Sequence, residues 1–293
     1  MELTLTGAMQ IPRISMTPDE ASEATGFSRT RIFNAIRDGE LTQAPSIASI
    51  ARSTGWWELD QIFKIYPGQF VVVTGIAGHG KSTFLLNLIC NLADQSVKSF
   101  LYVPENERHI RDKLALIWGD RQNFERFANV QCFVQSAIPE RYDEEPHTLD
   151  WLLNKALVAI EQDGVRLLLL DPWNEIERAK PKDMLLTDYI GQCLMWIKGF
   201  CRKYGVTVIL VAHPTKAGIS DGKVPSLADI EGSMNWYNKC DNGLIVVRDG
   251  NKPVTRIISA KVREHGAGKR GVCYFNVDED TGIFTPQHGA VTP

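Results

Sequence analysis

Alternating apolar strands and amphipathic helices predict an α/β fold with a mostly parallel sheet and antiparallel C-terminal strands, and three stretches carry the prediction. The first is Val71–Thr83, an apolar strand that runs into a glycine-rich turn and then into the helical pattern FLLNLICNLA. The second is the strand Arg166–Leu170, which is continuously apolar, as a central parallel strand covered on both faces is, and which ends in Asp171. The third lies after Lys239. There Leu244–Arg248, Val254–Ala260 and Val272–Val277 follow as alternating or apolar runs, with turns at Asp249-Gly250 and Asp280-Thr281-Gly282.

A chain of 293 residues holds one large α/β domain plus a small appendage. The formal net charge of −3 gives no bulk basicity, so any contact with nucleic acid must come from a few positioned Lys or Arg residues. The six cysteines, at 90, 132, 193, 201, 240 and 273, have no CxxC or metal-like spacing, and they read as reduced thiols of an intracellular protein. No N-terminal signal pattern and no apolar run of membrane-spanning length is present, so a soluble protein is expected.

In chain order, residues 1–15 have no period, and Thr17-Pro18-Asp19-Glu20 opens a short helix. Gly26-Phe27-Ser28 breaks it, and Ser28 caps a second helix with Ile32, Phe33 and Ile36 on one stripe and Arg29, Arg31 and Arg37 outside it. The pair resembles the compact helix-turn-helix of excisionase-like proteins. A linker helix that packs on a neighbouring subunit and a plain structural pair stay open beside that reading. Residues 41–55 form the linker, which divides the chain into an N-terminal helical piece (1–45) and a main domain (46–293). A short helix at Trp56–Phe63 and the Pro67-Gly68 turn lead to the strand Gln69–Thr74.

The turn after that strand has the form G-x-x-x-x-G-K-S. Its backbone N–H groups and the N-terminus of the following helix form a cradle for the β- and γ-phosphates of a nucleotide. Gly75, Gly78, His79, Gly80, Lys81, Ser82 and Thr83 line this candidate site. Lys81 reaches the phosphates, and the Ser82 hydroxyl ligates Mg²⁺.

The strand Ser99–Val103 ends at Pro104-Glu105-Asn106. Glu105 reads either as a general base that polarises water or as a helix-start acid for ERHIRDKLALIW. A third strand is placed at Val130–Val134, an acidic loop RYDEEPH follows, and Thr148 caps an amphipathic helix closed by Gly164. Asp171 is the second half of a nucleotide site, holding the Mg²⁺ shell opposite Ser82. A helix from Asp183 to Tyr204 packs a core stripe against the sheet. The buried strand Val206–Val211 ends in Ala212-His213, where the imidazole reads as a sensor of phosphate state or as a structural histidine. The loop Pro214–Pro225 carries Lys216 and Lys223, which suit single-strand phosphate contacts or plain solvation.

Taken together, GIAGHGKS, the strand-end PEN, RLLLLDPWNE, VILVAHPTK, LADIEGSMNWYNKCDNGLIVVRD and AKVREHG resemble the RecA-like core of hexameric replicative helicases. The group is the DnaB-like one, and the branch is that of Twinkle-type and phage primase-helicases. The resemblance covers about residues 47–286. It implies a P-loop NTPase that assembles as a homo-hexamer or similar ring, hydrolyses ATP or another NTP with Mg²⁺ between subunits, and pulls single-stranded DNA through its centre. Primase, polymerase or other replisome proteins are the implied partners. The implied location is the cytoplasm of a bacterium- or phage-like system or an organelle matrix. Glu105 matches the catalytic glutamate, His213 the phosphate-sensing residue, and Lys261 and Arg263 the pair donated in trans to the neighbour's γ-phosphate. Arg248 and Phe275 match residues packed around the nucleotide base. The loop after His213 and the segment Asp229–Lys239, including Lys239, match DNA-facing central loops. No zinc-binding or primase-type domain is expected before the core, and the N-terminal piece is smaller than the family's collar. A nucleotide-gated DNA-binding or loading ATPase and a recombinase-like filament former are the alternatives.

Overall fold

Short apolar strands need cover on both faces, and this chain supplies it with helices between its strands. A computed structural model of the protein describes residues 28, 30–31, 34, 46–119, 131–138, 147–215, 223–232, 234–248, 250 and 254–292. Its first half contains α1 (Ile47–Ile50), α2 (Trp57–Asp60), β1 (Phe70–Thr74), α3 (Lys81–Asp94), β2 (Ser99–Val103), α4 (Glu107–Trp118) and β3 (Cys132–Ser136). Then come α5 (Leu149–Asp163), β4 (Leu167–Leu170), α6 (Leu186–Tyr204), β5 (Thr207–Val211), α7 (Met234–Lys239), β6 (Asn242–Arg248), β7 (Val254–Val262), β8 (Gly271–Val277) and β9 (Phe284–Thr292).

All nine strands join one sheet in the order β3-β2-β4-β5-β1-β6-β7-β8-β9. Every pairing from β3 across to β6 is parallel, and β6 to β9 pair antiparallel. The pleat sends Val71 and Val73 to one face, against Phe84, Leu88 and Leu92 of α3 and Ile110 and Leu114 of α4. Phe70 and Val72 point to the other face, against Ile190, Leu194 and Ile197 of α6 and Leu152 and Ala156 of α5. The caps follow local chemistry. Asn106 Oδ1 accepts from His109 N at 2.9 Å to start α4, and Thr148 Oγ1 accepts from Trp151 N at 3.3 Å to start α5.

The predicted fold class is what forms, with differences at three elements. The third strand runs Cys132–Ser136 rather than Val130–Val134. It is a half-buried edge strand, so it includes the polar Gln135 and Ser136 that an apolar-run criterion leaves out. The long helix begins at Leu186 instead of Asp183, with no side-chain cap at Leu185. The sequence reading has no β9 at all. This edge strand contains Pro286, and its partner β8 is irregular between Cys273 and Phe275. The N-terminal helix pair lies outside the described residues, apart from Ser28, Thr30, Arg31 and Asn34, and Ser28 Oγ accepts from Arg31 N at 3.3 Å as a cap does. All six cysteines are free and buried. Among the described residues no helix is long and apolar enough to cross a membrane.

One buried carboxylate fastens the start of the parallel sheet. Asp241, 4% exposed, accepts from Phe70 N at 3.0 Å through Oδ2 and from Lys198 Nζ of α6 at 2.6 Å through Oδ1. Arg263 Nε lies 3.1 Å from the same Oδ1. Truncation leaves a mostly buried ammonium without its counter-charge and the first amide of β1 without its acceptor. Asp241→Ala should lower unfolding free energy by about 3–5 kcal/mol, read as a shifted midpoint in urea.

Candidate functional site

The carboxyl ends of four neighbouring parallel strands carry the candidate residues. Glu105 follows β2, Asp171 follows β4, His213 follows β5, and the glycine-rich turn follows β1. Crevices at this edge of an open parallel sheet are where ligands bind. Sheet order therefore turns residues far apart in sequence into one row.

The turn is held close against β6. Gly75 has φ +146°, and a Cβ there would stand 2.2 Å from Val246 O, so only glycine fits. Gly80, at φ +83°, is the N-cap of α3 and leaves its first amides facing the turn. Lys81, 4% exposed, folds back so that Nζ donates to Gly75 O at 2.9 Å and Ile76 O at 3.0 Å. Burial pulls its pKa below that of an ordinary lysine, and Asp171 opposes the shift. Thr83, one turn into α3, is half-buried, and its carbonyl accepts from Asn87.

Asp171 is 5% exposed, and its side chain is hydrogen-bonded to that of Ser82. Burial first, and the neighbouring Glu105 charge further, raise its pKa, while the Ser82 bond, Lys81 and Lys113 lower it. Two hard oxygen donors side by side at the mouth of an anion cradle fit Mg²⁺, which takes one or two protein oxygens and completes its shell with phosphate and water. His213 makes a hydrogen bond to the Gly75 backbone, and its Nδ1 has no hydrogen-bond partner. Burial and then Lys81 hold its imidazole below the usual histidine pKa, and the Gly75 backbone bond opposes the shift.

On the β6 side, Arg248 N donates to His79 Nδ1 at 3.1 Å, and the Arg248 guanidinium is ion-paired with Glu279. His79, Arg248, Gly250 and Glu279 line an open cleft of about 580 Å³ next to the phosphate turn. Asn87 of α3 ties down the β8–β9 turn that carries Glu279, with Nδ2 donating to Gly282 O at 2.9 Å and Oδ1 accepting from Phe284 N at 3.0 Å.

Phe275 does not face this cleft. It is 0% exposed and packs edge-on against Trp56 and Phe84, with ring centroids at 5.1 and 6.1 Å. The expectation that it packs around a base is therefore corrected: the pleat of β8 turns it into the aromatic core, where no ring face is open to a ligand.

Lys261 and Arg263 lie back along the sheet from that edge, level with the middle and the start of β1. Lys261 is opposite Gly243, which pairs with Val72, and Arg263 N donates to Asp241 O at 2.9 Å beside the first residue of β1. At about 3.3 Å per residue along β1, Lys261 lies about 10 Å and Arg263 about 16 Å back from the level of Gly75. The two side chains gather on the C-terminal carbonyls of α7. Lys261 Nζ donates to Tyr237 O, and Arg263 Nη2 donates to Asn238 O at 2.8 Å. Lys223 is exposed, Lys239 is half-exposed in the last turn of α7, and Lys216 lies outside the described residues.

Three residues of the site are absent from the sequence reading. Asn87 could have been found as a polar side chain, after Lys81, on the buried face of an apolar helix. Glu279 and Lys113 act across turns and leave no periodic signal.

Comparison with known proteins places this geometry. The AAA domain family matches residues 62–218. The Twinkle homolog protein, chloroplastic/mitochondrial, of Arabidopsis thaliana is 33% identical over 264 residues. That alignment covers 82% of this chain, and the chain spans 37% of that relative's length. A solved structure described as an ATPase domain superposes with a TM-score of 0.71 at 17% identity, covering 89% of this chain and 99% of that one. A DnaB-like replicative helicase, solved in a study of its interactions with primase, superposes with a TM-score of 0.70 at 17% identity, covering 91% and 70%. These superpositions share the RecA-like arrangement of a mostly parallel sheet extended by antiparallel C-terminal strands.

The corrected position of Phe275 has a measurable consequence. Phe275→Leu should lower the melting temperature and leave nucleotide affinity within about twofold, whereas Arg248→Ala should weaken nucleotide binding and leave the melt unchanged. Fluorescent-nucleotide titration and thermal denaturation of both variants check the contrast.

Proposed function

The chain belongs to the AAA domain family, and from that premise we propose that it is a ring-forming, Mg²⁺-dependent NTPase that hydrolyses ATP between subunits, moves on single-stranded DNA and unwinds duplex. In this reading residues 46–293 are the ATPase domain and residues 1–45 a helical appendage. The observation that carries the proposal is the division of the candidate machinery. Phosphate cradle, carboxylates and His213 share one sheet edge, while Lys261 and Arg263 sit back along the sheet, with both side chains committed to the C-terminal carbonyls of α7 and not to their own cradle.

Each group then has one task. The amides of the turn and Lys81 hold the β- and γ-phosphates, and Ser82 and Asp171 hold Mg²⁺. A Mg²⁺ held by Ser82 and Asp171 would supply charge to offset that developing on the phosphate oxygens. Glu105 orients a water against the γ-phosphorus and takes its proton as the new P–O bond forms and the bond to the β-phosphate bridging oxygen breaks. Lys261 and Arg263 of a neighbouring subunit stabilise the transition-state charge. His79 and Arg248 flank the base. His213, against the Gly75 backbone, passes the phosphate state to the loop that carries Lys216 and Lys223, and these with Lys239 contact the DNA backbone.

Steady-state ATP turnover should rise strongly on addition of unstructured single-stranded DNA at a protein concentration where subunits meet. Turnover indifferent to DNA would overturn the translocase reading in favour of a nucleotide-gated loader. Arg263→Ala should keep nucleotide binding and lose ~10³-fold or more in turnover. Mixing inactive Arg263→Ala with inactive Glu105→Gln should restore part of it, since a mixed interface brings an intact finger to an intact base. No recovery in mixtures shown to co-assemble would refute the in-trans assignment.

A further inference from the structure

Glu105 does not stand alone at the end of β2. Lys113 Nζ lies 3.1 Å from Glu105 Oε1, with the two side chains 40% and 29% exposed. The pair is unlike its neighbour on the same helix. Glu107 and Arg111 form an i, i+4 bridge at 2.7 Å along the surface of α4. Lys113 instead reaches back over the N-cap Asn106 to a residue outside the helix. It flanks the stripe that buries Ile110 and Leu114, which turns its stem toward the carboxyl edge of the sheet. Its charge is felt by Asp171 as well as by Glu105.

We propose that Lys113 is the positioning residue for Glu105: its ammonium holds one carboxylate oxygen, so that the other is presented to the attacking water. The geometry fits the task. A glutamate on a bend between strand and helix has three free side-chain torsions, and among the described residues no other hydrogen bond or ion pair restrains its carboxylate. A partly exposed ion pair contributes little to stability, so orientation is the effect this one is built to have. A hydrolytic base that sits a fraction of an ångström off line loses rate without losing substrate affinity. Lys113 also offsets the accumulation of Glu105, Asp171 and nucleotide phosphates at one edge, which would otherwise push Glu105 outward.

This inference rests on Glu105 being the base, and the experiment separates the two. Lys113→Met should reduce kcat about tenfold or more, with KM, nucleotide affinity by fluorescent titration and melting temperature unchanged. Lys113→Arg should restore most of kcat. Adding Lys113→Met to Glu105→Gln should cost nothing further in residual turnover, because the group it positions is already disabled. If Glu105→Gln hydrolyses at the wild-type rate, the reading of the site falls, and with it the reason for the pair. If Glu105→Gln is inactive while Lys113→Met keeps wild-type kcat, the site reading stands and the positioning role of Lys113 is refuted. A Lys113→Met effect confined to nucleotide affinity would refute it equally, by making Lys113 a phosphate contact. Should Lys113→Met lower the melting temperature, Lys113→Gln, which keeps a polar head and loses the charge, decides by the same split.

Discussion

The carboxylate of Asp241 is the constraint on which the two ends of this molecule depend. It receives the first amide of β1, the ammonium of Lys198 from α6 and the guanidinium of Arg263 at the end of β7. A charge this deeply buried is tolerated because its oxygens are hydrogen-bonded and its sign is balanced. The strand that leads to the glycine-rich turn, the long helix α6 and Arg263 thus share one anchor. A single side chain links the start of β1 to Arg263.

The opposite end is organised by close approach rather than by charge. Gly75 lets the backbone lie against Val246, and its carbonyl then accepts Lys81, while its backbone also bonds His213. The lysine is held in internal bonds, and in the proposed reading a phosphate would replace them without a search through side-chain rotamers. That pre-formed state lowers the ordering cost of binding. Asn87 and the Arg248–Glu279 pair hold the β8–β9 turn over the same helix, so the cleft has walls from both the parallel and the antiparallel halves of the sheet.

Much of this was legible in the sequence because period and punctuation are local. The strand, turn and helix at Val71–Thr83, the apolar strand ending in Asp171 and the Gly164 cap each lie within a short window, and the structure has them where those signals place them. The row of Glu105, Asp171 and His213 could be anticipated as three strand ends, but which strands are neighbours depends on pairing that no window contains. Edge elements were the least legible. β3 and β9 carry polar residues, Pro and Gly because they are not covered on both sides, so they lack the apolar run that marks a central strand. The fate of Phe275 turned on strand parity, since one step in register separates the core from the cleft.

In the proposed in-trans reading, the basic pair on the α7 carbonyls and the glycine-rich turn would give the chain a front and a back. A contact in which the basic pair of one copy meets the phosphate turn of the next has direction, like links in a row. Any open row then ends in one cradle with no donor and one donor with no cradle, however many copies it holds. Closing the row removes both defects at once, so circular order itself, rather than any extra contact, would bring the last site into use.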